Sequence, residues 1–219
     1  MPIVINGNGT ITGLAVGGLP NGVVDEDTLA TDSVTNVKVA NNAINTNEIV
    51  NSAVTPVKST ITGGISECDM WRLTSHLQGN QMPITTGSIE RVDDASFTKI
   101  GTGMSVSSGV FSFPSTGIWK VVWYGVVQTG TSTHQNVFTI QVTTNNSSYD
   151  DTARARQGIY KMSSGTSYGA ACCSTLVDVT NVSNVKVRFQ YIAGQGSEEL
   201  MGSTTDSQTT FEFVKLAET

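Results

Sequence analysis

Cysteine and charge are both scarce in this chain. Only Cys68, Cys172 and Cys173 occur in 219 residues, and charged residues make up 14%. No CxxC spacing is present, which removes the common zinc arrangements. An odd count with an adjacent pair argues for unpaired thiols packed as small hydrophobes. Neighbours such as Cys172 and Cys173 would face opposite sides of a strand. No apolar run approaches the roughly 18 residues of a membrane span. The net charge of −6, without a basic cluster, argues against nucleic-acid binding and offers no handle for an anionic membrane. The opening MPIVINGNGTITG has no basic start, long apolar run or cleavage site, so assembly in a cytoplasm is expected.

Catalytic signals are as thin. The two histidines, His76 and His134, have no G-x-S-x-G elbow beside them, and no carboxylate pair stands out. Asp93-Asp94 and Asp150-Asp151 lack the loop pattern of a calcium site, so turn capping is the expectation for both. No enzyme activity, metal or cofactor is expected.

What the chain does have is a repeat. Val24, Leu29, Val34, Val39, Ile44, Ile49 and Val54 recur every five positions, with small or polar residues between them. The unit reads as ten residues: VVDEDTLATD, SVTNVKVANN, AINTNEIVNS. A five-residue spacing fits neither the 3.6 period of a helix nor the 2 of a strand. Each unit must therefore bend, and one copy cannot bury its own stripe. Further copies of the same segment are the simplest cover, so these seven residues are expected to form the core of an intertwined homotrimeric stalk.

Three regions follow. Residues 1–20 are short apolar pieces broken by glycine, read as an attachment arm for a partner, with folding back on the stalk as the alternative. Residues 21–66 are the stalk, closed by the glycine hinge ITGGIS. Residues 67–219 read as about ten short strands without helical period, which predicts an all-β sandwich or jelly roll. Expected strands include Ser88–Val92, Ser96–Ile100, Gly117–Gln128, Val137–Thr144 and Val185–Ile192. Twenty-two glycines and low charge suit this turn-rich class.

The string FTKIGTGMSVSSGVFSFPSTGIWKVVWYGVV resembles the head domain of the C1q and tumour-necrosis-factor superfamily. Gly109, Phe111, Pro114, Gly117 and Trp119 match its G-x-F-x-x-P-x-x-G-x-Y/W pattern, and TTFEFVKL matches its closing aromatic strand. The resemblance implies a ten-stranded jelly roll that forms a tight homotrimer. The segment GTITGLAVGGLP and the repeated VT-x-x-K-[VI]-A are similar to the N-terminal regions of bacteriophage fibres and related virion proteins.

The fold class is thus an all-β, C1q/TNF-like jelly-roll sandwich head preceded by an extended, intertwined trimeric stalk. Phe111, Phe113, Trp119, Trp123, Tyr124, Phe211 and Phe213 are expected in the head core or the trimer interface. Trp71 is read in the same way. The polar stretches Gln128–Asn136 and Ala193–Gln208 read as recognition loops, with His134, Gln135, Leu200 and Met201 as candidate receptor contacts. The functional expectation is a homotrimeric fibre-type component of a phage virion. Its arm would bind other virion proteins, and its head a host surface glycan or protein. The alternative is a capsid decoration or cement protein, which the short chain would suit.

Changing Val34, Val39 and Ile44 together to serine should loosen the stalk and spare the head, since each buried aliphatic side chain is worth roughly 1.5–3 kcal/mol. Limited proteolysis should then cut within residues 25–60 and leave the head intact. Undiminished protection there would mean that the stripe is no interchain core.

Overall fold

A computed structural model describes residues 64–219 throughout. Before them it describes the strand pair β1 (Val4–Ile5) and β2 (Ile11–Thr12), and the single positions Val34, Val39 and Ile44. Val24, Leu29, Ile49 and Val54 of the expected stalk lie outside the described residues, as does most of the expected arm. The chain divides into two compact units, Met1–Ile61 and Thr62–Thr219. In the first, β1 and β2 pair antiparallel. Val34, Val39 and Ile44 each stand at a bend of the backbone, and all three side chains are exposed.

The second unit holds twelve strands: β3 (Cys68–Leu73), β4 (Leu77–Gln78), β5 (Ile89–Arg91), β6 (Ser105–Ser107), β7 (Val110–Ser112), β8 (Gly117–Thr129), β9 (Thr133–Thr143), β10 (Asp150–Ile159), β11 (Ser167–Val179), β12 (Lys186–Ile192), β13 (Glu199–Leu200) and β14 (Thr210–Ala217). One sheet has the order β10-β9-β12-β7-β6. The other runs β4-β13-β8-β14-β3-β5, with β11 on the remaining edge of β8. From β7 onward the chain passes repeatedly from sheet to sheet, and the last strand returns beside the first. This is a jelly-roll sandwich.

Alternation explains the long strands. In β8 the buried positions Trp119, Val121, Trp123 and Val127 alternate with residues of the other face. β12 does the same with Val187, Phe189 and Tyr191. One-sided alternation pins register, because a slip of one residue would invert every side chain. The strands expected at Gly117–Gln128 and Val185–Ile192 are thus present as β8 and β12. Between β6 and β7, Ser108 and Gly109 have φ of 51° and 76°. Two positive-φ residues form the tight turn whose twist suits a two-residue hairpin.

The sheets meet through aromatic rings. Phe111 on β7 lies 5.5 Å from Trp71 and 5.5 Å from Phe189, edge to face in both cases. Phe189 lies 4.4 Å from Phe211, and Trp123 packs on Phe138 at 5.1 Å. Edge-to-face and tilted pairs at these spacings add to the area they bury. Of the aromatics expected in core or interface, Phe111, Phe113, Trp119, Trp123, Phe211 and Phe213 are buried. Gly125 faces inward, where a Cβ would lie 2.2 Å from the Phe138 ring, so the ring occupies space only glycine leaves.

Several expectations need correction. Ser96–Ile100 is not a strand; only Ile100 bridges, to Cys68. The polar stretch Gln128–Asn136 is not a long loop, because β8 runs to Thr129 and β9 resumes at Thr133. β4, β6 and β13 were not expected; two of them are only two residues long. Asp93 and Asp94 do not cap a turn with their side chains. They face the fully buried guanidinium of Arg72, at 2.5 Å and 2.9 Å, and Glu90 completes the set at 2.8 Å. The carbonyl of Thr204 accepts a further bond from Arg72. Asp151 sits within β10, accepting from Gln141 at 2.7 Å and pairing with Arg154.

Replacing Arg72 with glutamine removes the cation from three converging carboxylates. Its three partners reach solvent and can be rehydrated once the cation is gone, so the loss is that of charge-assisted hydrogen bonds, about 1.5–3 kcal/mol. The urea midpoint of the variant should fall accordingly, and an unchanged midpoint would mean that the cluster contributes nothing net.

Candidate functional site

Two surfaces of the head present side chains that the rest of the head leaves uncovered. The first is the outer face of the larger sheet. The register places Cys172 of β11 beside Tyr124 of β8, and Leu176 beside Lys120, which in turn pairs with Val214 of β14. Leu176 is 62% exposed, and Tyr124, Cys172 and Tyr168 are also exposed. Val122 and Val126 lie half-buried between them on the same face. Tyr124, expected in core or interface, is thus outside the core of its own chain. Contiguous exposed apolar surface of this kind marks an interaction face.

The thiols divide accordingly. All three are free: Cys172 exposed, Cys68 half-buried and Cys173 buried. Burial of all three is therefore corrected for Cys172, whose strand position turns it outward. The Cys173 thiol packs against the Phe138 carbonyl at 3.8 Å. Burial pushes it up to about 11, with the neighbouring Cys172 adding to the shift.

The second surface lies at one end of the sandwich. The chain enters at the other end, where the Lys215 amide donates to the Glu67 carbonyl at 3.0 Å. β8 spans from that base, at Gly117, to Thr129, roughly 40 Å at ~3.3 Å per residue. At the far end come together the β8–β9 turn, the segment between β10 and β11, and the loop between β12 and β13. A groove of about 490 Å³ opens there, lined by Ser132, Thr133, His134, Gly158, Ile159 and Tyr160.

A β-bulge shapes this groove. Gln157 pairs with Asn136 and Ile159 with Thr133, so His134 and Gln135 together oppose Gly158 alone. Bulges break the ladder locally and re-aim side chains. His134 and Gln135, consecutive in a strand, are consequently both exposed. Gly158 makes the approach possible, since a Cβ there would lie 3.0 Å from the His134 carbonyl oxygen. The Lys161 amide donates to Ser132 Oγ at 2.9 Å, and Gln195 Nε2 donates to the Ser132 carbonyl at 2.5 Å. Tyr160 is 83% exposed, and Met162 is exposed beside it in sequence.

Beneath the tip the loop between β12 and β13 is held by buried polar groups. Tyr191 Oη donates to Asn136 Oδ1 at 2.7 Å, and the Glu198 carboxylate accepts from the Gln195 amide at 3.0 Å. Glu198 and Asn136 are fully buried. Burial, and then the Glu198 charge, raise the Tyr191 phenol above its ordinary value.

The candidate receptor residues thus separate. His134 and Gln135 lie at the bulge. Leu200 is fully buried in β13 and contacts no solvent, so it is no recognition residue. Met201 is half-buried and extends β13, its amide donating to Val126 O at 2.8 Å. Leu200 was misread because two apolar residues in a polar stretch look the same at a loop tip and in a two-residue strand. Tyr160 and Met162, both exposed just past β10, are not among the residues the sequence singles out. The signal was the run Ser163-Ser164-Gly165 just after them, which favours a turn. Among the described residues no three histidine, cysteine, aspartate or glutamate side chains converge to hold a metal. His76 sits 3.3 Å from Gln128 and 3.8 Å from Glu199, a surface polar contact.

No protein-family model matches the chain, and no curated protein matches it. Solved structures do. The crystal structure of murine APRIL at pH 5.0 has a TM-score of 0.45 at 13% identity, covering 68% of this chain and 98% of that one. The structure of Eiger TNF from S. frugiperda has a TM-score of 0.48 at 13% identity, covering 71% and 96%. At this identity the likeness is one of fold.

The Cys173 shift gives a pH prediction. Because the folded thiol ionises later than the unfolded one, its stabilisation is whole below pH 9 and is lost as the pH rises towards 11. Denaturation midpoints of the wild type should fall faster across that window than those of Cys173→Val. In denatured, unreduced samples all three thiols should react.

Proposed function

We propose that the chain is a homotrimeric structural protein of a phage virion, of fibre type, whose head adheres to the host surface. The observation that carries the trimer is apolar exposure in both units. Val34, Val39 and Ile44 are each exposed at a bend, and the head exposes Tyr124, Tyr168 and Leu176 on one sheet face. Each surface is the kind that another copy of the same chain covers. Burying one such side chain is worth roughly 1.5–3 kcal/mol, and a threefold assembly counts every contact three times.

The virion assignment is supported by the similarity of the N-terminal repeat to phage fibre segments. In this reading residues 1–20 attach to another virion protein, the stalk trimerises, and the head presents its tip. Three heads on one stalk would raise avidity without stronger single sites.

Light scattering of the full chain should give a mass near three times 23.1 kDa. Placing a charge on the sheet face with Leu176→Arg should weaken head association. Cys172 should react slowly with maleimide in the wild-type trimer and quickly in that variant. A clean monomer at micromolar concentration, with Cys172 freely reactive, removes the trimer. A chain lacking residues 1–20 should still trimerise but fail to join particles of a mutant phage lacking the gene. Normal incorporation would shift attachment to the head and favour a capsid decoration role.

A further inference from the structure

The groove at the tip has a definite chemistry. Its six lining residues carry no carboxylate, guanidinium or ammonium group. Ser132 brings a hydroxyl and His134 an imidazole, while the Thr133 hydroxyl is turned to the Gln135 carbonyl. Gly158 and Ile159 complete a floor that is more apolar than polar, and Tyr160, also in the lining, is 83% exposed. Much of the floor is fixed. Thr133 is buried, Ser132 is tied to Lys161 and Gln195, and the bulge sets the placement of His134 and Gln135. Pre-placed polar groups lose little freedom on binding.

We propose that this groove binds a neutral saccharide. A pyranose has one apolar face of C–H groups and a rim of hydroxyls. A tyrosine ring offers a flat apolar body with a polar tip, which suits that face. The Ser132 hydroxyl and the His134 imidazole match the rim, each able to donate or accept. The volume of about 490 Å³ falls in the range of small-molecule clefts. With no arginine or lysine in the lining, the carboxylate or sulfate of an acidic sugar would meet no permanent cation there. Three copies on one trimer would compensate for the shallow, open shape of a single site. The inference deepens the adhesion reading above and rests on it.

The test uses the purified full chain on immobilised neutral oligosaccharides of glucose, galactose, mannose and N-acetylglucosamine, beside sialylated and sulfated ones. Binding to host cells is measured in parallel. Wild type should bind at least one neutral family. Tyr160→Ala should weaken that binding roughly tenfold or more with the trimer mass unchanged. Tyr160→Phe, which keeps the ring, should retain most of it. Unchanged binding by Tyr160→Ala would overturn the site. Binding to acidic sugars alone would overturn the neutral class. A chain that coats host cells but binds no saccharide overturns this inference and leaves adhesion standing, whereas one that does neither removes both.

Discussion

β8 pairs with β11 along one edge for its whole length and with β14 and then β13 along the other. A strand hydrogen-bonded on both sides can be buried, because no backbone group is left without a partner. Its inward residues then form one wall of the aromatic core, and Phe111, Phe138 and Phe189 form the other. The outer face of the same strand carries Tyr124, Val122 and Val126. Core and candidate association face are therefore the two sides of one strand, and the backbone geometry that fixes one fixes the other.

Alternation made this much legible in advance. Trp119, Val121 and Trp123 had to share a face once the segment was a strand, and so did Val187, Phe189 and Tyr191. The two-residue turn at Ser108-Gly109 was not legible, because β6 was not expected. Legibility ended where tertiary neighbours decide. Asp93 and Asp94 look like turn residues until Arg72, more than twenty positions away, is seen buried between them. Leu200 looks like a loop tip until β8 supplies its ladder. The groove was hidden for a related reason. It arises from a register mismatch between β9 and β10, and such a mismatch has no single-strand signature. His134 and Gln135 were singled out as residues of a long loop, and the bulge gives a different reason for their exposure.

Charge is sparse in the head and is used locally. Asp69, almost fully buried, accepts from Arg91, the Trp71 indole and the Met104 amide. Arg91 in turn lies 4.6 Å over the Trp71 ring. Such clusters add little net stability against an apolar replacement, but losing one member is costly. They tie β3 and β5 to the loops that cross them, where the short strands offer few ladder bonds.

The Glu67–Lys215 backbone bond has a consequence for how this head can diversify. The strand that opens the jelly roll and the strand that closes it lie side by side at the base, and every tip segment begins and ends on a rigid strand. The head is therefore topologically a cassette. Recombination could exchange everything between residues 67 and 215 by rejoining two neighbouring points of the chain. Substitutions confined to the β8–β9 and β10–β11 turns could alter recognition while leaving the sequence at that junction untouched.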